Sequence, residues 1–495
     1  MTHGQLGYVR SSAELIQNIL VPKYYDPSID LRLKQLSDTR ELVKFGDLID
    51  AGHIQVQSGH DIGKITYGTG NIPFVRTSDL ADWELKAQPK QGVSAEVFAE
   101  YAPTRQDVQA GDIFFVKDGT YLVGTPAYVT EQDLPLLYQS HLLRVRVLPS
   151  SPIPASLLLV ALSSPIVRKQ VKSKQFSAGI IDKIEGRYRE LILPIPRETS
   201  EQDSISQEAQ ALAERRVVLR EILRRIPLWV QGQLSSLDEA MPEQDPADIE
   251  RTERLGFVRT MADIHGALIP KYYDPSIDTE LKRLGHDFEL VAIGDLVSRG
   301  VLSSSTGIEV GKMAYGTGDI PFVRTSDLSS WELKGEAKQR ISRDLFDILG
   351  EQLDAQPGDV LLVRDGTYLV GTSALLNEHD GEMLFSGGIY KLRCHRRDEL
   401  DPHLLIALLN MPIVRRQMRA KQFTRDIIDT LGRRLFEVVL PIPRDNEKRA
   451  SISALVKSVT EERARLRERA KQLAFEIEGE DLDASERDIL TEVQF

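Results

Sequence analysis

IPFVRTSDL, residues 72–80, returns unchanged at residues 320–328, 248 positions later in a chain of 495. Nine consecutive identities do not recur by chance in a globular sequence, so the remainder is read as two copies of one unit. Outward from this stretch, Lys64–Leu85 (KITYGTGNIPFVRTSDLADWEL) matches Lys312–Leu333 (KMAYGTGDIPFVRTSDLSSWEL) at 17 of 22 positions. GDIFFVKDGTYLVGT (Gly111–Thr125) faces GDVLLVRDGTYLVGT (Gly358–Thr372), and SLLLVALSSPIVRKQVKSKQF (Ser156–Phe176) faces HLLIALLNMPIVRRQMRAKQF (His403–Phe423). Each copy is introduced by PKYYDPSID and closes on LPIPR, at Arg197 and Arg444.

Alternating apolar residues, Gly-rich turns and β-branched content read the first half of each unit as short twisted strands. FFV and LLV read as a buried strand, D-G-T as a turn and YLVG as the returning strand of a hairpin. A third strand follows at LLRVRV and IYKLRC. The period then turns helical through SLLLVALSS and HLLIALLNM, and a last strand closes the unit at ELILPIPR and EVVLPIPR. The expected fold class is therefore α+β, a tandem duplication of a strand-rich domain with a helical hairpin. An N-terminal helix is expected at 1–22, the first domain at 23–200, a central helix at 201–240 and a linker with helix at 241–270. The second domain then covers 271–446, a C-terminal helix 447–480 and a tail 481–495.

The composition, 41% hydrophobic and 27% charged, is that of ordinary globular material. The net charge of -12 argues against blanket affinity for nucleic acid, so local clusters must carry any such affinity. A single cysteine, Cys394, excludes an internal disulfide and a cysteine-based zinc knot. With neither a basic leader nor an apolar run of spanning length, the chain is expected to be cytoplasmic and without membrane partners.

Beyond each domain lies a helix with heptad spacing. Ile205, Ala209, Leu212, Leu219, Leu223 and Ile226 keep it in the first, and Ile452, Val456, Val459, Leu466, Ala470, Leu473 and Ile477 in the second. Either these helices pack on their own domains, or they pair with each other as an antiparallel coiled coil. Each seam is broken by one arginine, Arg216 and Arg463, at equivalent places; within a paired coil these would fix helix register. The 24 residues from Asp203 to Ile226 would span roughly 35 Å, about one turn of B-DNA.

The search for catalytic motifs comes out empty: no P-loop, no H-E-x-x-H, no G-x-S-x-G and no methyltransferase cofactor loop. Glu84-Leu85-Lys86 and Glu332-Leu333-Lys334 have the E-x-K form of a metal-dependent nuclease half-motif. Asp61 with Glu309, or Asp79 with Asp327, could supply the upstream acid. Such a nuclease acting alone, or a protein scaffold that never touches DNA, is the alternative to the reading below.

The basic clusters are more specific. Arg168, Lys169, Lys172, Lys174, Lys183, Arg187 and Arg189 in the first copy answer Arg415, Arg416, Arg419, Lys421, Arg425, Arg433 and Arg434 in the second. An acidic chain that concentrates positive charge twice at one place can grip phosphate there, and phosphate contacts position a protein without reading sequence. The candidates for base reading are Tyr67, Arg76, Thr77, Ser78, Lys117, Thr120 and Tyr121, beside Asp118. Their counterparts are Tyr315, Arg324, Thr325, Ser326, Arg364, Thr367 and Tyr368, beside Asp365. Equally, identical residues could be scaffold, with base choice in the segments that differ: Gln55–Asp61 against Ser303–Glu309, and Asp133–His141 against Asp380–Gly388.

This order of elements resembles the specificity (S) subunit of type I restriction-modification systems. The residues that carry the resemblance are the G-D-L opening, Y-G-x-G-x-I-P-F-V-R-T-S-D-L, G-D-I-F-F-V-K-D-G-T-Y-L-V-G, and the segment from Q-F to L-P-I-P-R, followed by a heptad helix. The family pattern places a glutamine soon after the closing proline; here it is Gln202 in the first copy and Arg449 in the second. The resemblance implies a non-catalytic, sequence-specific DNA-binding subunit of a phage-defence complex. Its two target recognition domains would read the halves of a bipartite double-stranded target. It also implies helices that dock two methyltransferase subunits and, in the full assembly, a motor-nuclease subunit. No cofactor is expected in this chain; S-adenosylmethionine is expected on the methyltransferase partner.

Overall fold

The structure is a computed structural model that describes residues 19, 21–81, 83–86, 92–105, 108–119, 122–178, 181–239, 257–260, 264, 269–335, 337, 339–366, 369–425 and 428–479. The helices expected at 1–22 and 241–270, apart from a few positions, and the tail at 481–495 lie outside those residues. The chain forms two compact units, Met1–Val217 with Glu468–Ser485 and Val218–Arg467 with Glu486–Phe495.

In the first unit, the strand Leu142–Val147 is the axis of a four-stranded antiparallel sheet. It pairs with Ile54–Ser58 on one side and Ile113–Val116 on the other, and the latter pairs with Pro126–Tyr128. IFFV at 113–116 is wholly buried, as a run without polar alternation requires of a strand covered on both faces. IPFV of the opening stretch, Ile72–Val75, is the middle of a smaller sheet, parallel to Leu137–Tyr138 and antiparallel to Gly92–Val93. The entry strand Arg40–Lys44 pairs with the closing strand Ile192–Pro196, so the unit closes where its sequence repeat begins and ends.

The second unit repeats this order. Leu302–Thr306, Ile389–Cys394, Val360–Val363 and Ser373–Leu375 form the large sheet. Ile320–Val323 lies between Gln339–Ile341 and Leu384–Phe385, and Phe288–Ala292 pairs with Val439–Pro443.

Two local expectations change. The GDL segments are helical, Phe45–Asp50 and Ile293–Ser298, because an aspartate in the first turn favours the helix N-terminus. The returning strand of the hairpin is not YLVG but Pro126–Tyr128 and Ser373–Leu375. Gly124 and Gly371, at φ 90° and 82°, turn the chain before it, and the Gly124 and Gly371 amides bond the carbonyls of Val116 and Val363.

Paired side chains fix the frame identically in both units. Asp112 and Asp359 of the G-D pairs are buried and accept two-pronged bonds from Arg146 and Arg393, each oxygen at 2.7 Å. The Gln170 amide spans the backbone N–H and C=O of Ile192, and Gln417 does the same at Val439, every bond at 2.8 Å. Gln202 donates to the Pro196 carbonyl at 2.7 Å, and Arg449 donates to that of Pro443 at 2.5 Å. The departure from the glutamine pattern thus preserves the bond that ties each long helix to the strand before it.

The long helices run over Thr199–Gln231 and Asn446–Glu476; the first extends past its heptads at both ends, whereas the second starts before its heptads and ends one residue short of Ile477. Within the second unit, Leu219, Leu223, Ile226 and Val230 of the first helix share a core with Ile452, Val456 and Val459 of the second. Within the first unit, Arg469 of the second helix forks onto Glu208 of the first at 2.6 and 2.8 Å. The start of each helix therefore meets the end of the other, an antiparallel pairing. The two readings of the heptads are both true, because the same helices also pack on their domains: Ser206 bonds Ser156, and Ser453 bonds Asp401.

The helix ends are docked by equivalent contacts. The amide of Ile166, at the start of the helix Pro165–Lys174, donates to Glu478 at 2.7 Å. The amide of Ile413, at the start of Pro412–Lys421, donates to Gln231 at 3.1 Å. Arg40 adds a bond from Nε to the Ile477 carbonyl at 2.7 Å, satisfying a helix-terminal acceptor.

Arg216 and Arg463 anchor the helices to the strand-rich bodies. Arg216 pairs with Glu84 at 2.7 Å, both side chains 4% exposed, and Arg463 pairs with Glu332. Their place in the seam is therefore a register between helix and domain. Removing one partner of a buried pair leaves an uncompensated charge, whereas removing both leaves an apolar gap. Glu84→Gln or Arg216→Met alone should cost about 3–5 kcal/mol, and Arg216→Met combined with Glu84→Leu should recover most of it. Urea-unfolding midpoints of the three variants check this, and equal losses in all three would refute the pairing.

Candidate nucleic-acid interface

The repeated stretch makes a rigid loop rather than an open platform. After IPFV, Thr77–Asp79 and Thr325–Asp327 form one turn whose buried aspartate bonds back to the Arg76 and Arg324 amides at 2.9 and 2.8 Å. The Arg76 guanidinium lies 3.5 Å from the Asp79 carboxylate, and that of Arg324 lies 6.0 Å from the Tyr315 ring. Tyr67 and Tyr315 rest on Phe74 and Phe322, with ring centres 5.5 and 5.7 Å apart. The hydroxyl-bearing residues Thr77, Ser78, Thr325 and Ser326 sit on the turn, and Ser78 is exposed. The identity of this segment in the two copies thus reflects a shared framework.

The E-x-K half-motifs belong to the same framework. Lys86 and Lys334 donate to the Ser78 and Ser326 carbonyls, the latter at 2.5 Å. Glu84 and Glu332 face the arginines of the long helices. A tryptophan at positive φ, Trp83 at 68° and Trp331 at 79°, turns each glutamate inward, and the Trp83 indole donates to Ser163 at 2.8 Å. Among the described residues no group of three His, Cys, Asp or Glu side chains could hold a metal ion. The carboxylate that a nuclease needs free is occupied in both copies.

The basic clusters divide into inner and outer members. Lys174 pairs with Glu190 at 3.0 Å and lies 4.5 Å over the Tyr24 ring; Lys421 repeats this with Glu437 at 3.0 Å and Tyr272 at 4.4 Å. Tyr24 and Tyr272 in turn donate to the same glutamates. Burial, and then the bond to glutamate, holds both phenols above the usual range, so they remain neutral donors. Arg187 donates to the Lys174 carbonyl at 2.8 Å and stacks 4.1 Å from Phe176, while Arg434 does so at 2.7 and 3.8 Å against Lys421 and Phe423. Arg415 donates to the Gly371 carbonyl.

Lys174, Arg187, Lys421 and Arg415, expected as phosphate contacts, are therefore tied into the fold: the first three brace the end of the basic helix, and Arg415 ties that helix to the turn at Gly371. Arg168 is half-buried, whereas Lys172, Arg419 and Arg433 stand exposed. The Arg425 side chain, and Thr120, Tyr121, Thr367 and Tyr368, lie outside the described residues.

Between these parts the first unit has a cleft of about 290 Å³ lined by Ser58, Lys117, Asp118, Lys183, Glu185 and Tyr188. Lys117 donates to Ser58 at 3.0 Å, and His141 approaches the Asp118 carboxylate at 3.3 Å. In the second unit Arg364 and Thr430 both bond Asp365, the latter at 2.5 Å. Ser58 and His141 were not singled out by motif. Both fall in the segments where the copies diverge, and that divergence is the signal that locates them.

No protein-family model and no curated protein matches the sequence. Among solved structures, the chain is similar to the type I restriction-modification system S subunit from M. genitalium, at 12% identity and a TM-score of 0.32, over 91% of this chain and 95% of that one. It is similar to the HsdS subunit from Thermoanaerobacter tengcongensis at 17% identity and a TM-score of 0.27, over 89% and 95%. It is also similar to the type IIG restriction endonuclease BpuSI at 10% identity and a TM-score of 0.29, over 38% of this chain and 28% of that one.

The division of the basic clusters has a direct consequence for stability. Arg187→Ala and Arg434→Ala, which each remove charged bonds to carbonyls and a ring contact, should cost about 1.5–3 kcal/mol. Lys172→Glu and Arg419→Glu, at exposed positions, should cost less than either of these. Thermal and urea unfolding of the four variants distinguishes the two groups.

Proposed function

We propose that the chain is the specificity subunit of a type I restriction-modification complex, a non-catalytic reader of a bipartite sequence in double-stranded DNA. One observation carries this reading: the same framework is built twice, with equivalent contacts at equivalent places, while the segments displayed on it differ. Two identical frames with unlike displayed segments suit two readers of unlike half-sites. An enzyme would instead repeat its reacting groups, and the repeated Glu84 and Glu332 are held in ion pairs.

Each unit grips phosphate through its exposed cations, Lys172 in the first and Arg419 and Arg433 in the second, and these contacts carry no sequence information. Base choice belongs to the cleft around Lys117 and Asp118 and to its counterpart around Arg364 and Asp365. The carboxylate, the cation and the neighbouring hydroxyl there are the groups that discriminate donor and acceptor patterns on base edges. The paired long helices supply the face on which two methyltransferase subunits dock. Those partners bring S-adenosylmethionine, and a motor-nuclease subunit completes the cleaving assembly.

The decisive experiment is a methylation map of host DNA with and without this chain, in cells that retain the methyltransferase subunit. Disappearance of one bipartite motif is the expected result; an unchanged map sinks the reading. In solution, binding of the full chain with its methyltransferase partner to duplex DNA should fall steeply with salt. Lys172→Glu and Arg419→Glu should weaken binding to all sequences alike and each flatten the salt slope by about 1.

A further inference from the structure

Among the described residues, few large apolar side chains stand in solvent, and two of them occupy the same place in the two units. Ile65 is 90% exposed and Met313 is 91% exposed. Of the others, Leu31 corresponds to Thr279 and Ile348 to Glu100, Leu290 at 37% is far less exposed and its counterpart Leu42 is half-buried, and the counterpart of Val258, Val9, lies outside the described residues. Isolated surface apolar residues are ordinary. A matched pair at the tip of a matched loop calls for a cause.

The loop that carries them is Lys64–Gly70, KITYGTG, against Lys312–Gly318, KMAYGTG. It is held in one shape. The Thr69 hydroxyl donates to the Thr66 carbonyl at 2.8 Å and receives the Ser94 amide at 3.1 Å; Thr317 repeats this with Ala314 at 2.8 Å and Ser342 at 3.0 Å. Gly68 and Gly316 sit at φ 73° and 72°, where other residues are strained, and their amides bond the Gly92 and Arg340 carbonyls at 2.8 Å. A Cβ on Gly70 or Gly318 would meet backbone at 2.4 or 2.7 Å, which fastens the loop to the neighbouring strand. Five of the seven loop residues are identical, and the two that differ are the tip and the residue after it. The frame is constant and the tip varies.

We propose that Ile65 and Met313 are specificity-determining tips, each pressing its aliphatic side chain against the apolar face of a base in double-stranded DNA. The inference rests on the DNA-reading function proposed above and assigns it two residues outside the polar set. A protein-docking role fits less well, since a stable protein interface needs about 800 Å² on each side, whereas one side chain on a rigid loop offers far less. A single aliphatic group is the size of a thymine-methyl contact or of a wedge between base steps. A lysine precedes the tip in both copies, Lys64 and Lys312, and the Lys312 side chain is exposed, where its charge can meet the backbone beside a base.

The test uses the full chain with its methyltransferase partner and a pool of duplex oligonucleotides with a randomised core, sequencing the bound fraction for the parent, Ile65→Ala and Met313→Ala. Because both positions are exposed, the variants should unfold at the parent midpoint. Each should lose roughly tenfold of the preference at base pairs of one half-site and keep the other. If the contact is to a thymine methyl, uracil in place of thymine reproduces that loss. If the tip is a wedge, 2-aminopurine beside the step brightens with the parent and not with the alanine variant. Parent-like preferences in both variants overturn the proposal, as does a loss of preference with neither signature. Impaired methyltransferase binding with intact DNA preference overturns it in favour of a protein contact. A parent chain that enriches no sequence and binds no duplex overturns the DNA-reading function, and this inference with it.

Discussion

The ion pair between a seam arginine and the glutamate of a short hairpin, Leu80–Ala81 against Glu84–Leu85 in the first unit and Leu328 against Leu333 in the second, is the constraint on which the rest of the structure depends. An arginine in the apolar stripe of a long helix is unfavourable by itself, and a glutamate 3% exposed is equally so. Each is tolerated because the other is present, which makes the helix and the strand-rich body mutually specifying. The hairpin must present the glutamate inward, and a tryptophan at positive φ does this in both units. The opening stretch IPFVRTSDL leads straight into that hairpin, which gives its repetition a structural reason: it positions the anchor of the helix.

From that anchor the long helices take on a second task. Each unit consists of one repeat's strands and helices plus the terminal segment of the other repeat's long helix. Glu478 receives the Ile166 amide in the first unit, and Gln231 receives the Ile413 amide in the second. A free helix end exposes unsatisfied carbonyls, and a short helix starts with unsatisfied amides. The docking gives each short-helix amide a side-chain acceptor, Arg40 separately takes up the Ile477 carbonyl, and each unit's completion thus depends on the other repeat's chain. A heptad seam with an arginine in it is what such a dual allegiance looks like in sequence.

The same economy explains why positive charge does not map simply onto a binding surface. Lysine and arginine carry long apolar stems and many donors, so they serve equally as staples of a fold and as grips for phosphate. In the basic segment exposure alternates: Lys172 and Arg419 stand largely in solvent, while Lys174, Arg187, Lys421 and Arg434 are half-buried against carbonyls, glutamates and rings. Counting charges locates the segment. It does not distinguish the two uses, because they follow from which side of a short helix meets the preceding strand.

Much of this was legible in the sequence. The exact repeat determined that there are two copies of one α+β unit and that a heptad helix follows each, because identity and period are properties of the chain alone. The runs FFV and LLV, the helical hairpin and the closing LPIP strand also followed from local pattern. The tertiary structure alone decided the partners: that the arginines in the seams answer glutamates 132 and 131 residues away, that E-x-K is an anchor rather than a metal site, and that Lys174 is inward and Lys172 outward. It also decided that the aliphatic tip of the KITYGTG loop stands in water. These are contacts between distant segments, and no local period or composition encodes which distant group a side chain will meet.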